Sequence, residues 1–188
     1  MTAQDIFRRI IDALDQAGIP YMLTGSFASS YHGAPRATQD IDIVIAPDVE
    51  QIRAFIRMFP DTDYFADEDE ALRAFKGRTL FNIVDFSTGW KIDLIIRKTR
   101  PFSLTEFGRR EAVDFQGLRL FIAAAEDVIL AKLEWAKRGA SLRQIEDAAG
   151  ILRAQAEHLD RAYLAHWVHE LGLAGEWESA NSMAGTVG

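Results

Sequence analysis

The chain of 188 residues contains no cysteine, which excludes disulfides, thiolate zinc sites, iron–sulfur clusters and cysteine nucleophiles. It also lacks any apolar run near the ~18 residues that a membrane span requires. There is no basic surplus: 28 acidic residues outweigh 21 basic ones, and the net charge of −7 weighs against a broad surface for duplex nucleic acid. The opening segment is acidic and amphipathic, so we expect no signal peptide, no membrane association and a cytoplasmic location.

The composition is that of a globular chain. Hydrophobic residues make up 48% of the sequence and charged residues 26%, which excludes a chain that is disordered or of low complexity as a whole. A chain of this length buries roughly 70% of its unfolded surface, so it can form a core without covalent cross-links.

Helix and strand patterns alternate along residues 1–122. Apolar residues at helical spacing predict an opening helix that ends at Gly18 and another helix that begins after Pro47-Asp48. Strand patterns fall at 21–23, 40–45, 79–86, 91–96, 112–115 and 118–122. The last two form a predicted hairpin with its turn at Gln116-Gly117. The acidic stretch 61–76 shows no clear period, and we expect an irregular surface excursion there.

The last third of the chain is helical. Ser141, with Gln144 three residues later, has the sequence of a capping box, and Asp160 is placed to cap a further helix. The predicted fold class is therefore α/β, a small mixed twisted sheet flanked by helices, with a helical C-terminal extension. We expect an α/β core at 1–122, helices packed on it at 123–173 and a flexible tail at 174–188.

The sharpest candidate for chemistry is the pair Asp40-x-Asp42 at the start of a strand. Residues two apart on a strand point to the same face, so the two carboxylates lie side by side while Ile41 and Ile43 face the core. Such carboxylates repel each other unless a cation lies between them, and oxygen ligands of this kind suit Mg²⁺ or Mn²⁺. Two solvated acids on an edge strand are the alternative, and the pair alone favours that alternative.

Asp93 is a lone acid in the otherwise apolar strand pattern at 91–96. A charge in such a strand is costly unless it is paired, solvated or bound to metal. Asp93 either completes a metal-binding set with Asp40 and Asp42, or faces water on an edge strand in a pair with Lys91.

Gly25-Ser26 lies where a strand pattern gives way to a short helix. Glycine permits close approach of the backbone, and a helix N-terminus offers free N–H groups to a phosphate. The same dipeptide also occurs in ordinary turns, so it is weak evidence alone.

In order and spacing, these features resemble the nucleotidyltransferase superfamily that includes DNA polymerase β. The stretch at 25–45, GSFASSYHGAPRATQDIDIVI, is similar to the minimal nucleotidyltransferases of bacteria, including members encoded in toxin–antitoxin and abortive-infection loci. The segment AEDVILAKL at 125–133 and the helical ending resemble the same group, so the likeness covers nearly the whole chain.

The resemblance implies that a nucleoside monophosphate moves from a nucleoside triphosphate (NTP) to an acceptor hydroxyl, with release of pyrophosphate. It implies that Asp40 and Asp42 hold two Mg²⁺ ions, and that Asp93 binds one of them and helps to deprotonate the acceptor. Gly25 and Ser26 would cradle the β- and γ-phosphates. Catalysis of this type rests on positioning and charge neutralisation.

The sequence departs from the family pattern at one point. Many minimal nucleotidyltransferases carry a basic residue soon after Gly-Ser, whereas residues 27–30 include none. Arg36 is the candidate replacement against the triphosphate, with a surface arginine as the alternative. Lys132 is a second candidate phosphate ligand. Its alternative is an ion pair with an acid of its own helix: Glu126, Asp127 or Glu134.

The acceptor stays open among a partner protein such as a toxin, the 3′ end of a tRNA and a small molecule such as an antibiotic. The acidic net charge leans against RNA. A non-catalytic antitoxin of this fold, which masks a partner protein, is the second hypothesis, and a metal-dependent phosphohydrolase is the third. The presence of Asp40, Asp42 and Asp93 together favours the enzyme.

Overall fold

The computed structural model describes residues 3–115 and 117–185, so the predicted turn residue Gln116 lies outside the described residues. The chain divides into two compact units. The first unit contains residues 3–24 and 37–122, and the second contains residues 25–36 and 123–185. The chain therefore passes from one unit to the other three times.

The first unit contains both strands and helices, and the described residues of the second unit form helices and no strand. The strands are β1 (Tyr21–Leu23), β2 (Asp40–Ile45), β3 (Tyr64–Phe65), β4 (Leu80–Asp85), β5 (Lys91–Ile96), β6 (Glu111–Phe115) and β7 (Leu118–Ile122). The helices are α1 (Ala3–Gln16), α2 (Gly25–His32), α3 (Val49–Ile56), α4 (Glu68–Gly77), α5 (Pro101–Gly108), α6 (Ala125–Gly139), α7 (Leu142–Ala154), α8 (Arg161–Glu170) and α9 (Ala174–Ala184).

The described strands of the first unit form one mixed sheet in the order β3-β4-β5-β2-β1-β7-β6. Strand β2 runs parallel to β5, and β1 runs parallel to β7. The other neighbouring strands are antiparallel. This is the α/β fold class with a mixed sheet that the sequence predicts.

The two faces of β2 and β5 differ in burial. The side chains of one face are apolar and fully buried: Ile41, Ile43, Ile45, Ile92, Leu94 and Ile96. Those of the other face are half-buried or exposed: Asp40, Asp42, Val44, Lys91, Asp93 and Ile95. The predicted inward direction of Ile41 and Ile43 is confirmed, and strand alternation leaves the acids together on the polar face.

Side-chain caps define where two helices of the first unit begin. At α3 the Gln51 amide donates to Asp48 Oδ1 over 2.8 Å, and the Asp48 amide donates to Gln51 Oε1 over 2.9 Å, which completes a capping box. At α4 the Glu70 amide donates to Asp67 Oδ1 over 2.6 Å. The prediction of an irregular surface segment at 61–76 is therefore wrong, because the stretch contains β3 and most of α4. Acids suit the first turn of a helix, and the buried Ala71 anchors this one.

Small residues let the chain after α2 pack closely on α7 in the second unit. A Cβ atom at Gly33, where φ is +122°, would lie 2.1 Å from Ala154 Cβ. A Cβ atom at Gly150 would lie 2.9 Å from Ala34 Cβ. Because α2 packs with α6 and α7, residues 25–36 fall in the helical unit rather than in the α/β core where the sequence places them.

Two further sequence expectations are corrected in the helical unit. The Ser141 side chain makes no capping hydrogen bond; instead, the Gln144 amide donates to the Ser141 carbonyl over 3.2 Å. Residues 174–184 form α9 rather than a flexible tail, because alanine favours helix and Ala180 and Ala184 are buried. The cap at Asp160 is confirmed by the Tyr163 amide, which donates to Asp160 Oδ1 over 2.9 Å.

Within the part of the chain that the structure describes, no helix combines the length and the apolar character needed to cross a bilayer.

Candidate active site

The acids of the polar sheet face come from two adjacent parallel strands. Asp42 of β2 is in register with Asp93 of β5, and Asp40 is in register with Lys91. Residues in register on neighbouring strands point to the same face, about 4.8 Å apart along the hydrogen-bonding direction. We call Asp40, Asp42, Lys91 and Asp93 the acidic face. The structure thus places the three carboxylates that the sequence predicts as catalytic on one face of two neighbouring strands, with Asp42 and Asp93 in the same register row.

Lys91 supplies the positive charge of the acidic face. Its Nζ lies 2.9 Å from Asp93 Oδ1 and 3.0 Å from Asp93 Oδ2, and it donates a hydrogen bond to Oδ2. This hydrogen bond raises the pKa of Lys91, and burial opposes the shift. The negative charges of Asp93, Asp40 and Asp42 raise the pKa of Lys91 further, so its ammonium attracts all three carboxylates electrostatically.

The environment of Asp93 matches one part of the alternative interpretation and contradicts another. The pair with Lys91 exists, but β5 lies between β4 and β2 and is not an edge strand. The Asp93 side chain is only 15% exposed, and its Oδ1 is buried and accepts no hydrogen bond. The ammonium of Lys91 lies 2.9 Å from this oxygen and offsets part of the cost of burying it, while the hydrogen bond goes to Oδ2.

The acidic face fits a divalent cation in the kind of ligand it offers, since Mg²⁺ and Mn²⁺ prefer carboxylate oxygens. Asp42 and Asp93 share one register row, and the buried Asp93 Oδ1 lacks a hydrogen bond. Asp40 stands at the exposed start of β2, where its amide donates to Thr38 Oγ1 over 3.2 Å. Among the described residues, no group of three or more acidic, histidine or cysteine side chains converges closely enough to hold a metal ion.

The strand before Gly25-Ser26 runs next to the acidic strand. The Thr24 amide donates to the Asp42 carbonyl over 2.9 Å, within the first unit. Gly25 follows with a φ of +64°, a conformation that favours glycine, and begins α2. The Gly-Ser pair therefore lies at a strand-to-helix junction, as the sequence predicts.

Three of the predicted phosphate-binding residues meet in the second unit. Arg36 Nη2 donates to Ser26 Oγ, and Arg36 Nε donates to Asp147 Oδ2 over 3.2 Å. Lys132 Nζ donates to the same Asp147 oxygen over 2.7 Å. We call Ser26, Arg36, Lys132 and Asp147 the ionic cluster. Two cations and one carboxylate give it a net positive charge.

Asp147 is the member of this cluster that the sequence analysis misses. It lies on the buried side of α7, four residues before Ile151, and an acid on the apolar side of a helix is the signal that marks it. For Lys132 the sequence considers only acids of its own helix, whereas the hydrogen bond described above goes to α7. Arg36 is an ion-paired residue rather than a free surface arginine.

Comparison with known proteins gives no match among protein-family models and none among curated proteins. Solved structures do match. The antibiotic-resistance factor ANT(2'')-Ia is 12% identical, with 97% of this chain and 89% of that chain covered and a TM-score of 0.50. JHP933 from Helicobacter pylori is 17% identical, with 96% and 87% covered and a TM-score of 0.52. The neighbours are nucleotidyltransferase-fold proteins, and at these identities the likeness establishes the fold alone.

Proposed function

We propose that the protein is a nucleotidyltransferase that moves a nucleoside monophosphate from an NTP to an acceptor hydroxyl. The observation that carries the proposal is the register row of Asp42 and Asp93 on the polar face of a sheet with the nucleotidyltransferase fold. Lys91 supplies one positive charge for three carboxylates, so the acidic face keeps an excess of negative charge that a divalent cation would neutralise.

The acidic face has two roles in the proposed reaction. Asp40, Asp42 and Asp93 would hold Mg²⁺ or Mn²⁺, which when bound neutralises the charge of the phosphates. The carboxylate of Asp93 would accept the proton of the acceptor hydroxyl. The hydroxyl oxygen then bonds to the α-phosphorus, the bond from the α-phosphorus to the bridging oxygen breaks, and pyrophosphate leaves with the electron pair.

In the second unit, Gly25, Ser26 and Arg36 would bind the β- and γ-phosphates, and Lys132 would contribute positive charge to the same site. The net positive charge of the ionic cluster supports this role, since phosphate oxygens accept charge-assisted hydrogen bonds from guanidinium and ammonium groups. The hydroxyl of Ser26 already accepts from Arg36, so the two side chains present one donor surface.

Transfer from α-labelled NTPs in the presence of Mg²⁺ tests the proposal directly. We expect labelled product and pyrophosphate from the wild type, and a loss of about 10²- to 10³-fold in Asp42→Asn, a size typical of removing one charge-stabilising group. Asp114→Asn is the matched control, because Asp114 is an exposed aspartate on β6 of the same sheet. Equal activity in wild type and Asp42→Asn, or release of phosphate instead of pyrophosphate, would contradict the proposal.

The acceptor can be assigned with the same label. Incubation with a cell lysate followed by separation of protein, RNA and small molecules shows which class carries the nucleotide. A labelled protein points to a partner such as a toxin, a labelled RNA to a tRNA end, and a labelled small molecule to an antibiotic-like substrate.

A melting-temperature shift with each NTP, with and without Mg²⁺, reports binding before any acceptor is known. Absence of any shift at millimolar NTP would favour a non-catalytic module that masks a partner.

A further inference from the structure

We infer that Asp147 is a positioning residue for triphosphate binding, which it serves by holding the guanidinium of Arg36 against Ser26. The inference rests on the proposed function, because it assigns a place to a residue within the predicted phosphate-binding set. It goes further in dividing that set into a group that contacts phosphate and a pair that supports it.

The geometry of Asp147 supports this role. One oxygen, Oδ2, accepts from both Lys132 Nζ and Arg36 Nε, so a single carboxylate fixes two cations that are 96 positions apart in the sequence. Burying a carboxylate is costly unless it is paired, and Lys132 alone already pairs it at 2.7 Å. Arg36 adds a second cation to the same oxygen, and it is the more exposed of the two.

Exposure separates the roles of the two cations. The Lys132 side chain is 6% exposed and the Asp147 side chain 7%, so this ion pair is buried. The Arg36 side chain is 22% exposed and reaches both Asp147 and Ser26. Arg36 is thus the cation that an incoming phosphate can meet. Lys132, which the sequence predicts as a phosphate ligand, acts as the counter-ion that holds Asp147 in place.

The chemistry of arginine explains how one side chain can be held and still bind. A guanidinium is planar and carries several N–H donors in a fixed fork. Nε is directed to Asp147 and Nη2 to Ser26, which fixes the plane of the group. Its remaining N–H groups keep a defined direction, so a phosphate binds without first ordering a long flexible side chain.

The test measures binding of inorganic tripolyphosphate by titration calorimetry, because this probe needs neither metal nor base recognition. Wild type, Arg36→Gln, Asp147→Asn and the double variant form a double-mutant cycle. We expect Arg36→Gln to weaken binding about tenfold and Asp147→Asn several-fold. In the Arg36→Gln background, Asp147→Asn should change the affinity by less than about twofold, since it acts through Arg36. Asp114→Asn should match the wild type.

Folding must be separated from binding, because removing one partner of a buried ion pair destabilises the fold. If Asp147→Asn fails to fold by circular dichroism, Lys132→Gln combined with Asp147→Asn removes both charges and leaves no buried ion unpaired. This pair of changes enters the same cycle with Arg36→Gln. An equal loss of affinity in both backgrounds, or tighter binding by the folded variant, would overturn the inference.

The transfer assay distinguishes failure of the inference from failure of the proposed function. If the wild type transfers nucleotide but the cycle shows no coupling between Asp147 and Arg36, only the inference is wrong. If the coupling is present and no nucleotide is transferred, only the proposed function is wrong. If the wild type does not bind tripolyphosphate, the ionic cluster is not a phosphate site, and the inference fails whatever the transfer assay shows.

Discussion

The first unit displays the charges of the acidic face on a half-open strand surface, whereas the second unit largely buries those of the ionic cluster among helices. Lys91 of the acidic face is 42% exposed, while Lys132 of the ionic cluster is 6% exposed. Water screens the first pair and is largely excluded from the second. An ion pair of similar length should therefore contribute little to stability in one unit and much in the other.

The balance of charge also differs. The acidic face places three carboxylates around one ammonium, and the ionic cluster places two cations around one carboxylate. The first unit adds a third solution at Asp85, a fully buried carboxylate that accepts from Ser87 Oγ at 2.7 Å and from the Thr88 amide and hydroxyl at 2.8 Å. The two clusters each carry an excess of one sign of charge, whereas the charge of Asp85 is satisfied by neutral donors within the fold.

Breaking the buried pair of the second unit should have the largest effect on stability. Lys132→Met leaves Asp147 buried with Arg36 as its remaining cation. We therefore expect a loss of about 2–4 kcal/mol in the free energy of unfolding, somewhat less than for a buried charge left wholly unpaired. Urea denaturation near neutral pH measures it. Lys76→Met, at an exposed position of α4, is the matched helix control and should lie within about 0.5 kcal/mol of wild type. A loss below about 1 kcal/mol in Lys132→Met would remove the contrast between the units.

Asp85 tests whether neutral donors can hold a buried charge. Asp85→Ala should cost about 2–3 kcal/mol, because the donors of Ser87 and Thr88 lose their acceptor. Burial alone would raise the pKa of Asp85, but the hydrogen bonds from these residues lower it below the ordinary 3.8. The stabilisation is therefore present above pH 3.8 and is lost as the pH falls through the lowered pKa.

The pH arm of this experiment is the difference in stability between wild type and Asp85→Ala from neutral pH downward. The difference should stay constant to about pH 4 and then shrink. Asp63→Ala, at an exposed position nearby, controls for the loss of one acidic charge. A difference that grew on acidification would show that the charge of Asp85 destabilises the fold.

Glycine-to-alanine substitutions compare how tightly the two units pack around a helix, independently of charge. Gly150→Ala places a Cβ 2.9 Å from Ala34 Cβ in the second unit, whereas no heavy atom lies within 4 Å of a Cβ at Gly108 in α5 of the first unit. We expect Gly150→Ala to cost about 1–2 kcal/mol, overpacking less the gain in helix propensity, and Gly108→Ala to be neutral or stabilising by up to about 1 kcal/mol. Thermal melts of the two variants compare them directly, and equal shifts would contradict the difference.

Lys91→Met should have the smallest effect. Lys91 pairs with Asp93 on a half-open face, so we expect a change below about 1 kcal/mol that shrinks with added salt. The raised pKa of Lys91 means that its stabilisation is present below the ordinary lysine value of 10.5 and is lost as the pH rises through the raised value. Wild type and Lys91→Met should therefore converge in strongly alkaline buffer, as followed by urea denaturation. A loss as large as that of Lys132→Met would show that exposure does not set the strength of these pairs.

The acidic face could be predicted from sequence because strand geometry is simple. Asp40 and Asp42 are two residues apart, which fixes a common side once the strand is recognised. The register that places Asp93 beside Asp42 depends on how β2 pairs with β5, and a single sequence does not contain that information. The roles of these residues as metal ligands stay predictions.

The ionic cluster was predicted only in part because its members come from distant positions. The sequence indicates Ser26, Arg36 and Lys132 separately. The carboxylate that joins the two cations, Asp147, depends on how α6, α7 and the loop after α2 pack. Capping motifs in the sequence predict the observed caps in some helices and not in others, because packing also decides whether a cap forms. Asp160 caps its helix, whereas Ser141 leaves the side-chain cap unformed despite a suitable sequence. At 61–76 the high charge obscured the period of α4.

Because the chain crosses between the units three times, both proteolysis and genetic recombination are constrained. No single cleavage separates the helical unit from the sheet, because residues 25–36 belong to the former and lie between two strands of the latter. A genetic exchange at the boundary near residue 122 would give the loop at Gly33 and Ala34 a foreign α7. The close packing would survive only if the new α7 carried small residues at positions 150 and 154. Residues 33 and 34 should therefore vary together with residues 150 and 154 among related sequences.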